Sequence, residues 1–203
     1  MSAESNTTIS EQTERIDGRT ARGARTREAI IDALYALLRE GHGDTGARAI
    51  AMCAGVSTRS VFQHFVDLEA VYAEVAARQE VAISPYLPAI DHAVPLTERI
   101  DRLVTARDEM YAIMAPLRRA LDTNRSARTS PLVRNNLTRL QRALRDQIAH
   151  TFPRETAGDE RLLAQIDVCL SFASWDQFLN HHGLSRAAAR GHLVGLVQSL
   201  LAS

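Results

Sequence analysis

The sequence predicts an all-α protein of about nine helices, with an N-terminal three-helix helix-turn-helix domain and a larger helical C-terminal domain. Three observations predict it. The string ARAIAMCAGVSTRSVFQHF, Ala47 to Phe65, reads as two short helices joined by a tight turn. Apolar stripes at helical spacing run through Ile30–Leu38 and through most of the second half. Glycine, proline and serine fall between those stripes, where helices end and begin.

Residues 1–21 are polar, rich in Ser, Thr and Glu, and lack apolar periodicity, so disorder is expected there. Residues 15–27 carry five arginines against one aspartate, a local net charge of +4 in a chain whose formal net charge is zero. This block is either an arm that tracks phosphates or enters the minor groove, or a solvated helix start. Every basic side chain is Arg, which suits bidentate contacts to phosphate or guanine.

A first helix is expected from Arg25 to Glu40, with Ile30, Ala33, Leu34, Leu37 and Leu38 as its apolar stripe and Gly41 or Gly43 ending it. Thr45 reads as the N-cap of a second helix over Gly46–Cys53. Ala51 is small enough to let the next helix cross closely, and Gly55 sits where a positive φ is required. Ser57 reads as the N-cap of a third helix, Ser57–Phe65. Val61 and Phe65, four residues apart, point inward, while Thr58, Arg59 and Gln63 fall on the opposite face. A short helix with an apolar back and a Thr/Arg/Gln front suits the major groove of DNA. A plain helical hairpin is the structural alternative. Asp67 caps a fourth helix running to Ile83, which Pro85 and Pro88 end.

In the second half, Thr97–Ala115 is a helix that Pro116 kinks or restarts, with Leu117–Leu121 continuing it. TNRSARTS, residues 123–130, reads as a loop, and Ser130-Pro131 starts a helix to His150. Asp159 caps a helix to His182, and the last helix covers Ser185–Leu201. The Asp159–His182 segment is apolar on more than one side, which requires more cover than one domain supplies. With the stripe of the last helix it predicts a two-fold four-helix bundle, a homodimer, with Leu163, Leu170, Phe178, Leu193, Leu196, Val197 and Leu200 at the interface. A dimer carries two reader helices about one DNA turn apart, so its operator is expected to be a near-palindrome.

No run approaches the roughly eighteen apolar residues of a membrane span, and the N-terminus has no apolar secretory segment, so a cytoplasmic location is expected. Cys53 and Cys169 lack metal or redox spacing and read as buried free thiols. His181-His182 are adjacent, with no third ligand at a suitable spacing. No Gly-rich phosphate loop, GxSxG or HExxH occurs. No catalytic residue, metal or cofactor is therefore expected, and the chain is not read as an enzyme.

The run AGVSTRSVFQHF followed by VDLEAVYAEV resembles the DNA-binding domain of the TetR family of bacterial regulators, over roughly Thr26 to Ala76. WDQFLNHHGLS is a weaker likeness to the family's C-terminal halves. The resemblance implies a DNA-binding domain over 22–76 and a ligand-binding and dimerisation domain over 77–203. It implies a repressor released from its operator when a small ligand shifts the fourth helix. Thr58, Arg59 and Gln63 would read bases, Arg48, Ser57, Ser60 and His64 would hold the backbone, and Thr45 is a further candidate DNA contact. Phe62 stands where the family commonly has a Tyr that donates to phosphate, and Leu68 where it commonly has a Lys. Phe62 is read as an apolar contact to a thymine methyl or sugar. These departures also leave open a helical dimeric adaptor with weak or lost DNA binding. Met110, Tyr111, Met114, Leu117, Phe172 and Trp175 are the candidate lining of a pocket for a small, largely apolar ligand. Ordinary core is the alternative for that set.

Overall fold

The computed structural model describes residues 4–42, 44–123 and 131–202. Among them are nine α-helices and no strand: α1 (Glu4–Arg39), α2 (Ala47–Cys53), α3 (Thr58–His64), α4 (Leu68–Ile83), α5 (Leu96–Thr123), α6 (Pro131–Thr151), α7 (Glu160–Cys169), α8 (Phe172–Asp176) and α9 (Arg186–Leu201). A 3-10 turn, Ser84–Tyr86, follows α4 and a π turn, Gln177–His181, follows α8. No helix among the described residues is long and apolar enough to cross a membrane. The chain divides into two compact units, Met1–Ala76 and Ala77–Ser203.

In the first unit α1 buries Ile30, Ile31, Ala33, Leu34, Leu37 and Leu38, α2 buries Ile50 and Ala51, and α3 buries Val61. Phe65, Val71, Tyr72 and Val75 complete this core. Helix α1 ends in a Schellman turn: Gly41 has φ +71°, and the His42 N–H donates to the Leu37 carbonyl at 3.0 Å. Its start differs from expectation, since the helix begins at Glu4 rather than near Arg25 and covers residues expected to be disordered. Once α1 is nucleated by its buried stripe, each further polar residue adds a backbone hydrogen bond without a new nucleation cost.

The second unit is organised around α5, which buries Ile100, Leu103, Val104, Met110, Tyr111, Met114, Ala115 and Leu117. α5 runs as one helix through Pro116. The Gln79 side chain donates to the Ile113 carbonyl at 3.1 Å, just before the proline that weakens the helical ladder. The expected loop at 123–130 lies almost wholly outside the described residues. α6 begins at Pro131 as read from the sequence.

The single helix expected over Asp159–His182 is instead broken. α7 stops at Cys169, and Ser171 adopts extended geometry (φ −73°, ψ 157°) and caps α8 by accepting from the Ser174 N–H at 3.2 Å. The freed Leu170 carbonyl accepts from the Tyr111 hydroxyl at 2.5 Å. A polar side chain from α5 thus competes with the helix for its own acceptor. Farther on, Asp108 accepts from Trp175 Nε1 at 2.8 Å and from Arg186 at 2.8 and 3.1 Å, joining α5, α8 and α9. The cysteines are free, but Cys53 is exposed and Cys169 half-buried, rather than both buried. Cys53 is the last residue of α2, and the turn that follows leaves it at the surface.

At the far end of α5, buried Arg99 donates to the Thr151 carbonyl at 2.6 Å and to both Glu155 oxygens at 2.6 and 3.2 Å. It also lies over the Phe152 ring at 5.5 Å. The Arg99 guanidinium holds the Glu155 carboxyl below its ordinary value of 4.5. The unfolded chain therefore takes up this proton before the folded chain does. The stabilisation is complete above about pH 4.5 and is lost as pH falls toward the folded value. Glu155→Gln is expected to cost about 1–3 kcal/mol at pH 7. In urea titrations across pH, that deficit should narrow as the pH drops below about 4.5. A deficit that does not change with pH would show that the ion pair is not its source.

Candidate functional site

The α2–α3 segment is held by local chemistry. The Gly55 N–H donates to the Met52 carbonyl at 3.2 Å and the Val56 N–H to the Ala51 carbonyl at 2.9 Å, a second Schellman turn with Gly55 at φ +66°. Half-buried Val56 follows it. Ser57 then caps α3, its hydroxyl accepting from the Ser60 N–H at 3.0 Å. This turn fixes the crossing of α2 and α3 and puts Val61 and Phe65 into the core.

The opposite face of α3 is open. Thr58, Arg59, Phe62 and Gln63 are exposed, as are Arg48 on α2 and the Ser57 cap. Phe62 is 50% exposed, so it does not pack into the core of its unit. Ser60 and His64 are half-buried, and His64 lies close to α1, where a Cβ on Gly23 would sit 3.8 Å from its ring. Thr45 behaves differently from expectation. It is 9% exposed, and its hydroxyl is 2.6 Å from that of Tyr72. It does not cap α2. Gly46 is the N-cap, and Asp44 accepts from the Gly46 N–H at 2.9 Å. The bond to Tyr72 holds the Thr45 hydroxyl in the interior of the unit rather than at the exposed face of α3.

The basic block is partly committed to the fold. Arg27 pairs with Glu74 and lies over the Phe65 ring at 4.8 Å. Arg25 Nε donates to the Ala21 carbonyl at 3.3 Å. The Arg15 and Arg19 side chains lie outside the described set.

In the second unit a cleft of about 510 Å3 opens among α5, α6, α7 and α8. Of the residues expected to line a pocket, Tyr111, Met114 and Phe172 do so. Met110, Leu117 and Trp175 are buried core. Tyr111, Phe172 and Trp175 form an aromatic cluster with ring centres 5.6–5.8 Å apart. The other wall was not among the expected lining: α6 and α7 contribute Leu137, Leu140, Leu144, Arg142, Arg145 and Asp167, and α5 adds Arg118. Apolar periodicity marks apolar positions and leaves out arginines whose stems cover an apolar wall.

Leu163, Leu170, Leu193 and Val197, expected at a dimer interface, are buried in the chain's own core. Phe178 and Leu200 are half-buried, and Leu196 is exposed. No group of three or more His, Cys, Asp or Glu among the described residues is placed to hold a metal ion.

No protein-family model and no curated protein matches the sequence. Solved structures do match. One is a protein assigned as a TetR-family transcriptional regulator from Mesorhizobium loti MAFF303099, 22% identical, with a TM-score of 0.61, covering 89% of this chain and 97% of that one. Another is a transcriptional regulator from Rhodococcus sp. Rha1, 14% identical, with a TM-score of 0.64, covering 88% of this chain and 95% of that one. The fold is TetR-like. In this TetR-like chain the helix-turn-helix is α2–α3, and the cleft belongs to the helical unit that follows it.

Thr45→Val is expected to lower stability by about 1 kcal/mol through loss of the bond to Tyr72. Tyr72→Phe should cost a similar amount, and the double variant less than the sum. Additive losses in thermal unfolding would mean that the two hydroxyls do not depend on each other.

Proposed function

We propose that the protein is a sequence-specific DNA-binding transcriptional regulator acting in the cytoplasm, a homodimeric repressor released from a near-palindromic operator by a small ligand. The observation that carries this reading is the two-sided character of α3 within a TetR-like fold. Its back is buried, and its front presents Thr58, Arg59 and Gln63 to solvent. Arg reads guanine and Gln reads adenine in the major groove, and a threonine methyl suits thymine. Arg48 and Ser57 are exposed beside them for the phosphates.

Dimerisation is supported by α9. Ala187, Gly191, Gly195 and Ser199 recur every four residues along it, with exposed Leu196 beside them. A Cβ built on Gly191 or Gly195 meets nothing within 4 Å, so a second helix has room to approach closely. The ligand enters the cleft of the second unit. Its coupling to DNA runs along α4, whose residues Leu68–Ala76 belong to the first unit and Ala77–Ile83 to the second. Gln79 on that helix holds the Ile113 carbonyl, adjacent in sequence to cleft residue Met114. A ligand that favours one arrangement of α5 against α4 has the differential affinity that release requires.

Selection from a random duplex library at two salt concentrations tests the reading. An enriched near-palindrome whose binding weakens steeply with salt is expected. Arg59→Ala or Gln63→Ala should then cost about 1–3 kcal/mol and relax preference at one base position. An equal loss on every sequence would reduce that side chain to a phosphate contact. A second reading, a dimeric adaptor, draws on exposed Met52, Phe62 and Val66 in and beside the helix-turn-helix. Absence of enrichment, with only feeble salt-sensitive binding, would favour it.

A further inference from the structure

The cleft carries charge that an apolar ligand would leave unanswered. Arg118, Arg142 and Arg145 line it, against one carboxylate, Asp167. Arg145 is engaged by Glu160 at 2.6 Å. Arg118 lies over the Phe172 ring at 5.7 Å, and neither Arg118 nor Arg142 forms an ion pair among the described residues. Behind the wall sits Arg107, only 1% exposed. Its Nη2 donates to the Leu144 carbonyl at 2.7 Å, but Nε and Nη1 are buried without a hydrogen-bond partner among the described residues. Leu144, which it bonds, and Asp167, whose carboxylate acts on it, both line the cleft. A buried guanidinium with two unmatched donors is costly, and its field is weakly screened by its surroundings. The region is thus electropositive, and Asp167 alone does not balance it. The rest of the wall is mainly apolar, with Tyr111, Met114 and Phe172 on one side and Leu137, Leu140 and Leu144 on the other, and it carries the neutral polar groups of Thr138, Gln141 and Ser171.

We propose that this cleft binds a small organic oxyanion, a carboxylate or a phosphate monoester on an apolar body, with Arg118 and Arg142 pairing with the anion. Both guanidinium groups present planar forks that match such oxygens. Arg107 acts from behind the wall, through its charge rather than by contact. The apolar body lies against Tyr111, Met114 and Phe172. The proposal rests on the ligand-responsive reading above and names the class of ligand.

The chain has one tryptophan. Trp175 packs 5.7 Å from Phe172 in the cleft wall, so its fluorescence reports occupancy. Octanoate, octyl phosphate, octanamide and octylammonium are titrated against it. Octanoate or octyl phosphate is expected to saturate the signal at a concentration at least tenfold below octanamide, and octylammonium to bind no better than octanamide. Whichever anion binds more tightly separates the carboxylate from the phosphate source. Arg118→Gln and Arg142→Gln each should cut the anion's advantage over octanamide at least threefold. Arg107→Met should cut it too, and the two cleft variants decide the matter if that chain does not fold. Equal binding of anion and amide, preference for the cation, no saturation by either anion, or an advantage untouched by Arg118→Gln and Arg142→Gln would each overturn the proposal. The duplex selection is separate. An operator found without anion binding refutes the ligand class alone, whereas anion binding without an operator refutes the regulator reading and leaves the cleft assignment standing.

Discussion

The second unit depends on the polar side chains that α5 buries. Arg99, Arg107, Asp108 and Tyr111 are all nearly excluded from solvent, and each must find its partners inside the protein. Arg99 reaches the end of α6 and Glu155, and Asp108 gathers Trp175 and Arg186. Tyr111 takes the Leu170 carbonyl, and Arg107 takes the Leu144 carbonyl. Apolar packing alone tolerates sliding of one helix along another. These bonds do not, because a slip of one turn leaves a buried donor or charge unpaired, at about 1–3 kcal/mol for a neutral group and more for a charged one. The register of α6, α7, α8 and α9 on α5 is therefore fixed by a few polar contacts, and Arg107 is the exception whose donors are not all matched.

The same distinction explains what was legible in the sequence. The helix-turn-helix was legible because its determinants are local: Gly55 for the positive φ, Ser57 for the cap, Val61 and Phe65 for the buried face. Each can be read from neighbours within four residues. The break at Leu170–Ser171 was not legible, because its cause, Tyr111, lies 59 residues away in the chain. Thr45 failed for a related reason. Its position suits a cap, but Tyr72 offers its hydroxyl a buried partner, and Asp44 takes over the local bond. Apolar stripes marked Leu163, Leu170, Leu193 and Val197 as buried, which they are. A stripe does not say whether the cover comes from the same chain or another, so their assignment to an interface did not follow.

The two halves of the candidate machinery use their arginines differently. In the first unit Arg27 is held by Glu74 and Phe65, so part of the basic block stabilises the domain. Arg48 and Arg59 remain on the surface, where the proposed function has them pair with phosphate or base. Phe62 is half exposed where a phosphate donor is common in the resembling family, which removes one electrostatic contact and offers apolar area instead. For the DNA binding proposed above, affinity built this way would lean less on counterion release and more on base-edge contact.

In the second unit, under the proposed function, the unmatched guanidinium would give a ligand something to act on. A ligand changes a two-state equilibrium only by the difference of its affinities for the two states. An apolar molecule in an apolar cleft gains nearly the same from either state, provided the walls adapt. An anion near Arg107, Arg118 and Arg142 discriminates more sharply, because Coulomb energy in a poorly solvated site changes steeply with distance. Small displacements of α5 against α6 then alter its binding free energy, and Gln79 bonds the Ile113 carbonyl of that same helix to α4. Under the proposed function, the charge in the cleft is thus the feature through which a ligand would bias α4.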